Sequence, residues 1–80
     1  MTTFAPSFLN GGPHHHIRRD AGGTYTLTPV ADGRSALLLF QGIVSSVRRS
    51  GEKGDVRVVT ERLTTSEGAE VPDQITIQLL

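Results

Sequence analysis

The stretch from Ser35 to Leu63 reads SALLLFQGIVSSVRRSGEKGDVRVVTERL, and it decides the fold. Residues 50–55 hold two glycines and mixed charge, which is typical of a tight turn because glycine adopts positive φ without strain. Residues 43–49 and 56–63, on either side, are rich in β-branched side chains that favour strands. The stretch therefore predicts a long β-hairpin at the centre of a small antiparallel sheet.

The two ends of this stretch are less regular. Residues 36–40 form a continuous apolar run between Gly33 and Gly42, which favours a strand buried on both faces, with one turn of buried helix as the alternative. In residues 56–63 we expect Val59 and Leu63 to point inward, with Thr60 and Arg62 outward.

Two further segments alternate between polar and apolar residues. Residues 24–28 predict a strand with Tyr25 and Leu27 inward, ended by Pro29. Residues 74–79 give the clearest alternation, with Ile75, Ile77 and Leu79 on one face and Gln74, Thr76 and Gln78 on the other. Residues 16–19 predict a short edge strand, residues 20–23 a turn, and residues 66–70 a loop before Pro72. The fold class expected is therefore all-β, a small antiparallel sheet with hairpins.

The first residues predict an extended N-terminal arm. Residues 1–13 contain two prolines and two glycines, which exclude a helix, yet they also carry Phe4, Phe8 and Leu9. The division expected is an arm over residues 1–15 and an antiparallel β domain over residues 16–80, with a disordered terminus as the alternative. A small chain needs cover for its apolar rows. The predicted subunit interface of a homodimer is formed by Phe4, Phe8, Leu9, Ile75, Ile77 and Leu79.

Composition limits the classes of function. The chain has 80 residues, 36% of them hydrophobic, no cysteine and a formal net charge of zero. No apolar run approaches the about 18 residues that span a bilayer, so no membrane partner is expected. His14, His15 and His16 are adjacent, and successive side chains of an extended chain point to opposite faces, so no metal site is expected. No catalytic constellation is evident, and we expect neither enzymatic activity nor a cofactor.

One family resemblance runs through the chain. Residues 46–50, Ser-Val-Arg-Arg-Ser, with the polar turn and charged strand after them, resemble the central hairpin of the coat proteins of single-stranded RNA bacteriophages. Residues 26–30, followed by Asp32 and Gly33, resemble the early strand and turn of those proteins. Residues 74–79 resemble their last strand, and the order and rough spacing match over residues 24–80.

The resemblance implies a virion structural protein that forms dimers and assembles into or onto a phage capsid. In that family one sheet face binds a genomic RNA hairpin. The residues that the resemblance places on this face, beside Val44 and Val58, are Ser46, Arg48, Thr60, Arg62, Thr76 and Gln78. Two alternatives remain open: a minor capsid, cement or tail component of a DNA phage, which would bind other capsid subunits, and a small nucleic-acid-binding β-barrel.

Overall fold

The computed structural model describes residues 7–10 and 14–80, which form a four-stranded antiparallel sheet with one helix. The elements in chain order are a 3₁₀ turn (Ser7–Asn10), β1 (His15–Arg19), β2 (Thr24–Pro29), α1 (Arg34–Glu52), β3 (Val56–Ser66) and β4 (Ala69–Leu79). The strands lie in the spatial order β1-β2-β4-β3. The predicted antiparallel sheet with hairpins is confirmed; the fold is mostly β, and it also contains one helix, α1, which the prediction lacked.

Helix α1 replaces both strands predicted over residues 36–49. Its buried side chains recur every three or four residues, and they are Ala36, Leu37, Phe40, Val44 and Val47. This spacing places one apolar stripe against the sheet, and the burial of that stripe outweighs the modest strand preference of the β-branched residues. Within the described residues, no helix is both long and apolar enough to cross a membrane.

The glycine-rich segment after α1 ends the helix instead of joining two strands. Gly54 has φ of +85°, and its N–H donates to the carbonyl oxygen of Gly51 (3.1 Å). The N–H of Asp55 donates to the carbonyl oxygen of Ser50 (2.9 Å). This pair of hydrogen bonds around a left-handed glycine is the Schellman motif, which satisfies the last carbonyls of a helix. The positive φ predicted for this segment is present, but it ends a helix and does not form the predicted hairpin turn.

Strands β1 and β2 follow the sequence prediction closely. They pair antiparallel from His15 opposite Pro29 to Arg19 opposite Tyr25, and β1 lies at the edge of the sheet. The turn between them is held by the Asp20 carboxylate, which accepts hydrogen bonds from the N–H groups of Gly22 and Thr24, both at 2.9 Å. Leu27 is fully buried, as predicted.

Strands β3 and β4 form a long hairpin. The sequence predicted such a hairpin earlier in the chain, between residues 43–49 and 56–63. The turn has two central residues, Glu67 and Gly68, with φ of +52° and +81°, as in the tight turns that match strand twist. The register of the pairing skips Val59 in β3 and Asp73 in β4. The extra residue at Val59 shifts the alternation, because one added residue turns the following side chains to the other face.

The shifted register also corrects two details of the prediction. Val59 and Leu63 are 49% and 50% exposed, so the inward positions predicted for them are wrong. Pro72 lies inside β4, beside the irregularity, and does not precede the strand. A proline is tolerated there because a bulge leaves a backbone position without a ladder hydrogen bond.

The core lies between α1 and one face of the sheet. Phe40, Val44 and Val47 of α1 pack with the fully buried Leu27, Ile75 and Ile77 of β2 and β4. The cluster is closed by Val56 of β3 and by Phe8 of the 3₁₀ turn.

The 3₁₀ turn is fixed to the sheet by a buried histidine. The Nε2–H of His15 donates to the carbonyl oxygen of Phe8 (2.6 Å), and His15 is 4% exposed. Phe8 is therefore held in the core of its own chain, with Leu9 partly buried beside it. The part of the predicted arm that carries Phe4 lies outside the described residues.

Alanine substitutions at two glycines, one inside α1 and one at its end, test whether this segment is helical. Gly42 lies exposed inside α1 and an added Cβ meets nothing within 4 Å. Gly42→Ala should therefore stabilise the protein by about 1 kcal/mol. In a domain of this size that raises the melting temperature by roughly 4–8 °C in a calorimetric scan.

The matched control is Gly54→Ala. It removes the left-handed residue of the helix end and should destabilise the protein by about 1–2 kcal/mol. A destabilising Gly42→Ala would contradict the helix.

A second prediction concerns Phe8. Phe8→Ala should destabilise the isolated chain by about 3–5 kcal/mol, because it opens a cavity in the core. Urea unfolding followed by circular dichroism measures this change. Leu80→Ala is the control, since Leu80 is 73% exposed and its truncation should change the free energy of unfolding little. Equal stability of the Phe8 variant and the wild-type chain would show that the segment does not pack as described.

Candidate functional site

The sheet face opposite α1 is lined by polar side chains. One row crosses all four strands in register: Arg18 of β1, Thr26 of β2, Thr76 of β4 and Thr60 of β3. Their sequence neighbours Leu27 and the residues flanking Thr76 belong to the core, so the row points away from the helix.

Two further rows lie on either side of this one. Thr24 pairs with Gln78, which pairs with Arg57. At the other side His16 pairs with Thr28, and Gln74 pairs with Arg62. We call the whole set the polar face; its eleven residues are His16, Arg18, Thr24, Thr26, Thr28, Arg57, Thr60, Arg62, Gln74, Thr76 and Gln78. The set contains three arginines and neither a carboxylate nor an apolar side chain.

Hydrogen bonds hold the polar face in order. The hydroxyls of Thr26 and Thr76 bond across β2 and β4 (3.3 Å), and Arg57 donates from Nη2 to the Oε1 of Gln78 (2.5 Å). These contacts fix side chains that are otherwise free to rotate. The guanidinium of Arg57 and the hydroxyls therefore project from fixed positions on the sheet.

Arg62 is the one arginine of the polar face that pairs with a carboxylate in the described structure. Its Nε donates to Oδ1 of Asp73 (3.0 Å). This hydrogen bond and the charge of Asp73 raise the pKa of the Arg62 guanidinium, with a smaller contribution from Asp32. The Arg62 side chain is 64% exposed, so it stays accessible to a ligand although Asp73 competes for it.

The structure brings together four of the six residues predicted to contact RNA. Thr60, Arg62, Thr76 and Gln78 share the polar face. Ser46 and Arg48 belong to α1, on the opposite side of the sheet, and the face predicted for them is wrong because residues 43–49 are helical.

Both residues make their contacts on the helix side of the sheet. Ser46 donates from its hydroxyl to the carbonyl oxygen of Gly42 (3.2 Å), and Arg48 pairs with Glu61. The two valines placed beside them separate as well: Val44 is a buried core residue of α1, and Val58 of β3 is 37% exposed.

The residues predicted to form a subunit interface divide in a different way. Phe8, Ile75 and Ile77 are buried in the core of their own chain, so α1 supplies the cover that the sequence analysis assigned to a partner. Leu79 is 42% exposed and Leu9 is partly buried. The interface itself stays a prediction.

The sequence analysis missed Arg18 and Arg57 as members of the polar face. The alternation of residues 24–28 already assigned Thr24, Thr26 and Thr28 to the face opposite Leu27. Placing the two arginines on this face requires knowing that β2 and β4 are adjacent in the sheet, although α1 and β3 separate these strands in the chain.

Other parts of the described structure are less suited to bind a small molecule or a metal ion. A groove of about 240 Å³ lies between the start of α1 and the β3–β4 turn, with Leu37, Leu38 and Val71 in its walls and an Arg34–Glu67 ion pair (3.1 Å) beside it. Its volume is below the about 300–1,000 Å³ of typical small-molecule sites. Among residues 7–10 and 14–80, no three His, Asp or Glu side chains are placed to share a metal ion.

Comparison with known proteins gives no assignment. No family model, curated protein or solved structure matches this chain. The residues of the polar face are therefore the evidence from which a function can be inferred.

Proposed function

We propose that the chain is a binding module whose polar face contacts the sugar–phosphate backbone of RNA. The observation that supports the proposal is the composition of the face: eleven polar residues on four strands, three of them arginines, of which Arg62 alone pairs with a carboxylate, that of Asp73, in the described structure. Arginine, threonine and glutamine side chains are common donors to phosphate and sugar oxygens. The bound RNA then lies across the sheet on the side away from α1.

The shape and chemistry of the face favour backbone contact over base readout. Four strands at about 4.8 Å spacing make the face about 14 Å wide, too wide to enter the deep, narrow major groove of an RNA helix. The face has no Phe, Tyr or Trp side chain on which bases could stack. Binding that depends on phosphates and on the hydroxyls of the ribose is therefore tolerant of sequence and sensitive to salt.

A second candidate function is a capsid component that assembles through the other side of the molecule. Leu38 and Leu39 are 54% and 48% exposed on α1, which lies on the side of the sheet opposite the polar face. Exposed leucines of this kind are suited to contact a neighbouring subunit.

This second proposal rests on the exposed leucines, because residues 46–50, which carried the central-hairpin part of the resemblance to RNA-phage coat proteins, are helical here. Electron microscopy of the expressed chain tests it. Closed shells support a coat protein, decoration of another particle supports a cement or tail component, and isolated monomers under all conditions contradict both.

The RNA proposal is tested by removing one arginine at a time. Arg18→Ala, Arg57→Ala and Arg62→Ala should each weaken binding of a fluorescently labelled RNA hairpin. Each should also reduce the slope of log affinity against log salt by about one ion. Arg49→Ala is the matched control, because Arg49 lies exposed on α1 and should leave the slope unchanged. Equal losses in all four variants, or no RNA affinity of the wild-type chain at low salt, would refute the proposal.

Asp73→Asn tests the same face in the opposite direction. The change removes a negative charge beside Arg62 and weakens the hold on its guanidinium, since an amide oxygen accepts a hydrogen bond but carries no charge, so RNA affinity should rise and the salt slope should steepen. Fluorescence anisotropy over a salt series measures both. Glu67→Gln is the control, because Glu67 pairs with Arg34, away from the polar face. A weaker affinity of the Asp73 variant, with thermal stability unchanged, would count against the proposed contact of Arg62 with phosphate.

A further inference from the structure

Strand β3 is an edge strand, and it is long for one. It has eleven residues, pairs with β4 on one side and has no strand on its other side within the described structure. An open edge of this length presents unpaired N–H and C=O groups that can pair with another strand. Leu63, in the second half of β3, is 50% exposed.

The second half of β3 has a continuous edge. The irregularity at Val59 lies before Thr60, and the one between Arg62 and Leu63 leaves out Asp73 of β4, so the extra residue is in the partner strand. Residues 60–66 therefore run without an inserted residue. Bulges protect strand edges against pairing, and this half of β3 lacks that protection.

The charged side chains of this half are satisfied within the chain. Glu61 pairs with Arg48, and Arg62 pairs with Asp73 (3.0 Å). Charged side chains commonly prevent an edge strand from pairing with another chain, but these two already have partners. They therefore oppose pairing less than free charges do.

We propose that two copies of the chain dimerise by antiparallel pairing of residues 60–66 about a two-fold axis at Leu63. This pairing sets Leu63 against Leu63 of the second copy. It also sets Arg62 against Thr64, Glu61 against Thr65, and Thr60 against Ser66. Each pair joins an apolar residue to its equal, or a polar residue to a hydroxyl, and such cross-strand pairs stabilise a sheet.

Neighbouring registers are less favourable. A two-fold axis perpendicular to the sheet keeps both polar faces on the same side. Two residues that oppose each other then point to the same face, so their numbers are both even or both odd. An axis at Glu61 or Arg62 would oppose like charges directly, which destabilises a strand pair. An axis at Thr64 shortens the paired segment, and an axis at Thr60 runs into the extra residue at Val59.

The dimer would form a single eight-stranded sheet with both helices on one side. The two polar faces would then be continuous on the other side, and the half-exposed Leu63 would be covered. This proposal depends on neither the RNA contact nor the capsid role. A chain of 80 residues buries a limited core, so a partner also adds stability.

Single cysteines test the register, because the natural chain has none. Directly opposed residues have Cα atoms about 4.5–5.5 Å apart, within the range of a disulfide. Leu63→Cys should therefore form a covalent dimer under mild oxidation. Thr60→Cys alone and Ser66→Cys alone should not, because each lies about 20 Å from its own copy at about 3.4 Å per residue.

A mixture of the Thr60→Cys and Ser66→Cys chains completes the experiment. It should give the mixed disulfide dimer on a non-reducing gel, since these positions oppose each other across the axis. Efficient dimers from Thr60→Cys alone, or no mixed dimer, would overturn the register. Circular dichroism shows whether each variant is folded.

The oligomeric state provides a second readout that does not depend on cysteine. In analytical ultracentrifugation the wild-type chain should be a dimer, and Leu63→Glu should shift it to monomer by at least a tenfold rise in dissociation constant. Leu38→Glu, a similarly exposed leucine on α1, should leave the dimer intact. A wild-type chain that is monomeric at the highest concentrations, or a dimer broken by the Leu38 variant alone, would overturn the proposal.

Discussion

The packing of α1 on one face of the sheet is the contact on which the rest of the structure depends. Phe40, Val44 and Val47 supply the cover for Leu27, Ile75 and Ile77, and the chain has few other large apolar side chains to replace them. The Schellman motif at Gly54 stops the helix and directs the chain into β3. Without this contact, both strands at the centre of the sheet would expose their apolar rows.

One-sided cover leaves the second face of the sheet in contact with solvent, and this determines where a partner can bind. Antiparallel sheets tolerate one wet face because their strands alternate between apolar and polar residues. Here the wet face combines hydroxyls and amides in its centre with Arg18 on one edge strand and Arg57 on the other. The structure of the core and the chemistry of the polar face are thus consequences of the same alternation.

The sequence predicted the strands whose alternation is strict and failed where two periods compete. Residues 24–28 and 74–79 were found because every second residue is apolar. Residues 36–49 were mistaken for strands, although Leu37, Phe40, Val44 and Val47 repeat at the spacing of a helix, because β-branched residues and a glycine-rich turn suggested a hairpin. Thr76 and Gln78 were predicted on the correct face, whereas Arg18 and Arg57 required the pairing of distant strands, which no local pattern contains.

Amide chemical-shift mapping of the labelled protein with an RNA hairpin shows which face of the sheet contacts RNA. The account predicts that the largest shifts fall on the polar face, at Thr26, Thr60 and Thr76, and that the exposed side of α1 around Leu38 and Leu39 changes little. Shifts concentrated on α1 would place the bound RNA on the helix side of the sheet and would contradict the proposal. An unchanged spectrum at low salt would contradict the assignment of the polar face as an RNA-binding surface.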